Sequence, residues 1–317
     1  MWETTPRSSN LRQTIHMQKT ATSSWLPSFL ATGIVWGLSF LFIKVGLEAA
    51  TPVGVAVSRA VLGAATLVAW SLMTRQRFLR GWKPWGHTLV LGLLLNAFPS
   101  LMFSFAESSL PSNLAGILNA TTPLMTAIVV LVIFRGERLT SSQVVGLLFG
   151  FVGVATLSGQ FGNFQLGNLQ GILMLLAATL SYGIGFPYAR KFLGNTGYSA
   201  TSMATAQVIA TAVLMAPFAL TSKLFWAPMT TASATSLLIL GALGTGFAYI
   251  WNFRTISQAG SAIASTVTYV SPVVAVIAGW LVLGETPHWN VLVGALIILV
   301  SAALVQQRIR VGGAKRA

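Results

Sequence analysis

The chain has 317 residues, of which 54% are hydrophobic and only 8% charged. Soluble domains carry about 25% charge, so this composition excludes a water-soluble globular fold, along with intrinsic disorder, a coiled coil and a nucleic-acid-binding domain. Nineteen Lys and Arg stand against five acids, all Glu, and cysteine is absent. The missing cysteine removes disulfides, thiolate nucleophiles, Cys-based zinc sites and acylated anchors.

Residues 1–24 form a polar, basic tail with Arg7, Arg12 and Lys19. A membrane helix needs about 20 apolar residues. Ten such runs follow, over approximately 25–47, 52–73, 85–106, 111–134, 142–158, 169–189, 199–220, 233–253, 261–283 and 289–306. The first is too long for a signal-peptide core and reads as a retained span. A basic tail, 307–317, closes the chain. The segments are too long and too continuously apolar for transmembrane β-strands. The sequence therefore predicts an all-α integral membrane protein with ten transmembrane helices.

Ten spans place both termini on one side. With that side inside, sixteen Lys and Arg fall in inside segments, and the outside loops hold Lys223 alone. This is a positive-inside pattern, and it predicts cytoplasmic termini in a cell (inner) membrane. The net charge of +14 then serves topology and contact with anionic headgroups. No nucleic-acid partner is expected.

The two halves resemble each other. Ala115 to Pro123 reads AGILNATTP, and Ala264 to Pro272 reads ASTVTYVSP. Each is followed by Gly-Glu, at Gly136-Glu137 and Gly284-Glu285. Trp36-Gly37 with Phe40 and Lys44 matches Tyr182-Gly183 with Phe186 and Arg190, and Gly92–Phe98 matches Gly241–Phe247. The offset drifts only from 146 to 149 residues. Five spans per half is an odd number, so the halves, 25–159 and 169–306, enter the membrane from opposite sides. Such inverted-topology repeats occur in many secondary transporters, with the substrate site near the midplane.

The Trp36-Gly37-x-x-Phe40-x-x-x-Lys44 run, the repeated Pro…Gly-Glu unit and the ten spans in two halves resemble the EamA-type members of the drug/metabolite transporter superfamily. The resemblance covers roughly residues 26–306. It implies export of amino acids, other small metabolites or toxic compounds through a central cavity by alternating access. Arg59 also matches a family position. Its counterpart in the second half has no Arg, with Thr205 and Gln207 nearby.

Lys44 and Arg59 are the only ionisable residues well within the spans, and such groups are functional candidates because they are costly there. Arg59 lies seven residues past Pro52, about 10 Å deep at 1.5 Å per residue. It has two readings: contact with an anionic group such as a substrate carboxylate, or a structural role through a buried ion pair or snorkelling. For Lys44 the shallow depth favours structure. Repeat symmetry pairs Lys44 with Glu285 on one face and Arg190 with Glu137 on the other, as two latches. Alternatively, each Glu neutralises the start of the next helix.

Polar and aromatic residues near mid-span are expected to line the substrate cavity: Trp36, Asn96, Asn119, Tyr182, Thr245, Tyr249, Thr268 and Tyr269, with Arg59. Each taken singly also reads as helix packing. Pro123 and Pro272 are repeat mates expected to bend equivalent helices, as hinges or as static shape. No carboxylate lies mid-span, which favours a uniporter, exchanger or facilitator over proton antiport. Coupling through Glu48 or Glu107 is the alternative. No catalytic motif, P-loop, metal-ligand set or cofactor signature is found, so no catalytic residue, metal or cofactor is expected, and a small-molecule substrate is the expected partner. The rival readings are a membrane-embedded enzyme acting on lipid-linked substrates and a non-transporting scaffold or sensor.

Overall fold

The computed structural model describes residues 25–110, 112–133, 140–158, 169–193, 196–283 and 289–305. A backbone in hydrocarbon must satisfy its own hydrogen bonds, and the apolar runs accordingly fold as helices. In the first part of the chain α1 is Leu26–Gly46, α2 Pro52–Met73, α3 Trp82–Glu107, α4 Ser112–Asn119, α5 Thr122–Val132 and α6 Ser141–Ser158. In the second, α7 is Leu169–Leu193, α8 Ala200–Thr221, α9 Thr231–Ala259, α10 Ser261–Ser265, α11 Val267–Leu283 and α12 Trp289–Val305. Among the described residues there is no strand, only one isolated bridge between Ala50 and Phe225.

Six helices, α1, α2, α3, α7, α8 and α9, are long and apolar enough to cross a membrane. The others are shorter. Many large apolar side chains face outward, among them Leu30, Ile34, Val61, Leu131, Val213 and Leu299. Exposed apolar side chains in this number, in a chain with helices long enough to span a bilayer, suit contact with lipid.

Two of the expected spans are interrupted. Residues 111–134 are broken between α4 and α5, and residues 261–283 between α10 and α11. A threonine bonds back at each break: Thr121 Oγ1 donates to the Leu118 carbonyl at 2.8 Å, and Thr266 Oγ1 to Ile263 at 2.7 Å. A side chain bonding back in this way competes with the backbone ladder. The repeat mates Pro123 and Pro272 then differ in setting. Pro123 sits in the first turn of α5, where a missing N–H costs nothing. Pro272 lies inside α11.

α1 packs on α11 and α7 on α5, while α2 packs on α8 and α9, and α6 lies along α12. Glycines allow the closest approaches. A Cβ at Gly54 would stand 1.9 Å from the Leu224 carbonyl oxygen, and one at Gly150 2.2 Å from the Tyr269 ring.

Candidate functional site

The geometry of α2 fixes the depth of Arg59. Thr51 caps the helix, its hydroxyl accepting from Gly54 N–H at 3.0 Å, and Pro52 opens it. Two turns in, Arg59 is only 7% exposed. Its Nε donates to Thr245 Oγ1 on α9 at 3.0 Å. No acidic partner to Arg59 is present among the described residues, and Arg59 lines a cavity.

Thr245 is set by an irregular backbone. α3 and α9 each contain a π-helical segment, Leu93–Ala97 and Leu240–Phe247. Such wide turns recur at functional sites and shift carbonyls off the regular ladder, where side chains can take them. Trp36 Nε1 on α1 donates to the Gly244 carbonyl at 3.0 Å, and Ser181 Oγ on α7 to Leu94 at 2.7 Å. The Tyr249 hydroxyl donates to the Leu95 carbonyl. Each π segment is thereby tied to helices from the other part of the chain.

Trp36, Arg59, Asn119, Tyr182, Tyr249 and Thr268 line one cavity together with Ser39, Phe40, Ile43, Phe103 and Phe186. Trp36 meets the Tyr249 ring edge-on at 5.7 Å, and Phe103 stacks on Tyr182 at 6.2 Å. Asn119 and Thr268 add polarity: Asn119 Oδ1 accepts from Thr122 at 3.5 Å, and the Thr268 hydroxyl donates to Ser265 at 2.9 Å. The free volume is only about 40 Å³. One water occupies about 10–15 Å³ by such a measure, and small-molecule sites run to about 300–1,000 Å³. In this conformation the cavity has room for no more than a few waters.

The other expected residues lie elsewhere. Thr245 reaches the site only through its bond to Arg59. Asn96 is buried in the π segment of α3, accepting from Ser100 at 3.2 Å, and does not line the cavity. Tyr269 also lies outside it, donating to the Leu147 carbonyl at 2.7 Å and so tying α11 to α6. Of the lining residues not singled out from sequence, Phe40 and Phe186 had a signal, since they are repeat mates. Ser39, Ile43 and Phe103 had none.

The expected latches are only half visible, because Glu137 and Glu285 lie outside the described residues. Their proposed partners bond to main chain. Lys44 Nζ donates to the Glu107 carbonyl at 3.1 Å, and Arg190 Nη1 to the Ile256 and Ser257 carbonyls at 2.9 and 2.5 Å. Glu48 is exposed and Glu107 fully buried. Among the described residues no group of three or more His, Cys, Asp or Glu is placed to hold a metal.

Apolar helices facing lipid, around a small buried polar cavity, define an α-helical multi-pass membrane protein. The chain belongs to the EamA-like transporter family, whose model matches residues 23–159 and again 169–306. It is similar to "Uncharacterized transporter YdfC" of Bacillus subtilis (strain 168), 26% identical over 284 residues, or 89% of this chain and 90% of that one. It is 30% identical over 271 residues to "Uncharacterized inner membrane transporter YedA" of Escherichia coli (strain K12), covering 82% of this chain and 84% of that one. In fold it is similar to a chain of known crystal structure with a TM-score of 0.72 at 19% identity, over 89% of this chain and 96% of the other.

Proposed function

We propose that this transporter is a secondary carrier, an exporter of small amphipathic metabolites with amino acids the first expectation. It binds substrate in the cavity beside Arg59 and works by alternating access. Ten spans in two inverted five-helix halves, with both termini cytoplasmic, form the framework. The packing supports the repeat, because the α1–α11 and α7–α5 contacts exchange under the sequence offset, as do α2–α9 and α8–α3. The chain acts as a carrier and not as an enzyme.

One observation carries the reading of the substrate. Arg59 is a buried cation steered by Thr245 into an aromatic-walled cavity, with no acidic partner among the described residues. A buried charge needs a counter-charge, and a carboxylate matches the guanidinium fork. Trp36, Tyr182 and Tyr249 supply apolar faces for the rest of the molecule. A phosphorylated substrate fits less well, because Arg59 is the one cation among the lining residues.

Thermal stabilisation of the purified protein by a panel of amino acids tests this. A ligand that binds only the folded state raises stability by RT ln(1 + [L]/Kd). Amino acids with a free carboxylate are expected to raise the melting temperature, their esters to fail, and Arg59→Gln to remove the difference. Equal stabilisation of wild type and Arg59→Gln would remove Arg59 from the binding site.

A further inference from the structure

A second polar pocket lies at the far end of the helices. The turn after α2, residues 74–81, folds against residues 196–199 ahead of α8. Arg80 N–H donates to the Tyr198 hydroxyl at 3.0 Å, and Ser199 Oγ to Gln76 Oε1 at 2.7 Å. These bonds hold open a pocket of about 850 Å³ lined by Arg77, Arg80, Gln76, Thr196 and Tyr198. A smaller one beside it is lined by Arg75, Arg77, Ser199 and Ser202. The guanidinium groups of Arg75, Arg77 and Arg80 make no hydrogen bond or ion pair among the described residues.

Among the described residues nothing nearby neutralises these charges. The two acids among the described residues, Glu48 and Glu107, stand at the opposite ends of α2 and α3. That is about 30 Å away at 1.5 Å per residue, several Debye lengths at physiological salt. The pocket is also flanked by lipid-facing side chains. Leu72 and Met73 at the end of α2 are 62% and 78% exposed, and Trp82, with Lys83 over its ring at 5.8 Å, is 80% exposed. Exposed Trp beside Lys at a helix end belongs at the headgroup level of a bilayer. Basic pockets between membrane helices at that level suit lipid phosphates.

We propose that this pocket binds a phosphoryl group, presented either by an anionic phospholipid headgroup or by soluble phosphate. Arg77 and Arg80 offer paired donors to phosphate oxygens, and the Tyr198 hydroxyl, which accepts from Arg80 N–H, keeps its own proton to donate. The site is separate from the Arg59 cavity and stands whether or not the substrate reading does.

The test uses the full-length protein in a neutral detergent, with short-chain phosphatidylglycerol, phosphatidylcholine and inorganic phosphate as labelled probes. Saturable binding of phosphatidylglycerol is expected, about tenfold or more tighter than phosphatidylcholine. Arg77→Gln with Arg80→Gln should weaken it at least about tenfold, while Arg75 and Lys83 remain to preserve topology. Gln76→Glu is the second variant. It keeps the acceptor for Ser199 but sets a carboxylate beside Arg77, and should weaken binding with the melting temperature unchanged. If inorganic phosphate displaces phosphatidylglycerol, the pocket also takes a soluble source. If it does not, the acyl chains contribute and the ligand is lipid. Equal binding of the two lipids with no binding of phosphate, or binding indifferent to both variants, overturns the proposal.

Discussion

Lys44 Nζ donates to the main-chain carbonyl of Glu107 at 3.1 Å, at the end of α3. Its repeat mate does the same in the other half: Arg190 reaches the carbonyls of Ile256 and Ser257 near the end of α9. Glu107 and Ile256 are themselves 149 residues apart. Each half thus uses a cation on its first helix to cap its third. The last carbonyls of a helix lack partners and carry the negative end of its dipole.

Lys44→Met is therefore expected to lower stability by up to about 1 kcal/mol, the usual worth of an exposed cation at a helix C-terminus. Arg190→Met, which frees two carbonyls, should cost more. Lys44→Arg should be near neutral. Thermal unfolding in detergent measures all three, and a Lys44→Met protein as stable as wild type would leave the cap without energetic weight.

Arg59→Gln is expected to reduce carboxylate transport by at least about tenfold, the lower range for a hydrogen bond to a charged group. Arg59→Lys should recover part of it, since it keeps charge but loses the planar fork. Thr245→Val removes only the Nε partner and should raise KM a few-fold. Initial rates in proteoliposomes distinguish these outcomes.

The repeat signalled the cation pair and the cavity, but not how either is used. Lys44 and Arg190 stand out in the sequence as mates, but their bonds to main-chain carbonyls do not, because backbone carbonyls carry no sequence signature; Glu285 and Glu137, their expected partners, lie outside the described residues. Trp36, Asn119, Tyr182, Tyr249 and Thr268 reached one cavity because a polar or aromatic residue at mid-span must face protein. Tyr269 obeys the same rule by facing α6 instead, a choice set by packing against Gly150. The π segments left no trace in the sequence, since one extra residue in a turn hardly disturbs the hydrophobic period.

Gln207 occupies the position in the second half that Arg59 holds in the first, 148 residues on. It is fully buried, and neither its Oε1 nor its Nε2 finds a partner in this conformation. The facing-repeat amide Asn96 likewise leaves Nδ2 unpaired. Gln207→Met should therefore stabilise this conformation by about 1–3 kcal/mol, the cost of a buried unsatisfied polar group. If the amide bonds in the opposite-facing state, the same variant slows transport. A higher melting temperature with unchanged flux would leave Gln207 without a role in the cycle.

Gly54 and Gly86 give a paired test of packing. Gly54→Ala drives a Cβ to 1.9 Å from a backbone oxygen and should prevent folding, whereas a Cβ at Gly86 meets nothing within 4 Å. Gly86→Ala lies within α3 and should gain about 0.5–1 kcal/mol from helix propensity. Yield of monodisperse protein on size exclusion reads the first, and thermal unfolding the second.

Counterflow in proteoliposomes tests the central claim most directly. Vesicles preloaded with unlabelled amino acids receive labelled tracer, with and without a pH gradient. The expected result is a transient accumulation of tracer without any gradient, lost in Arg59→Gln. Accumulation only with a gradient would replace the facilitator by a proton-coupled carrier and move attention to the buried Glu107. No accumulation of any carboxylate tracer under either condition, from protein shown to be folded, would contradict the account.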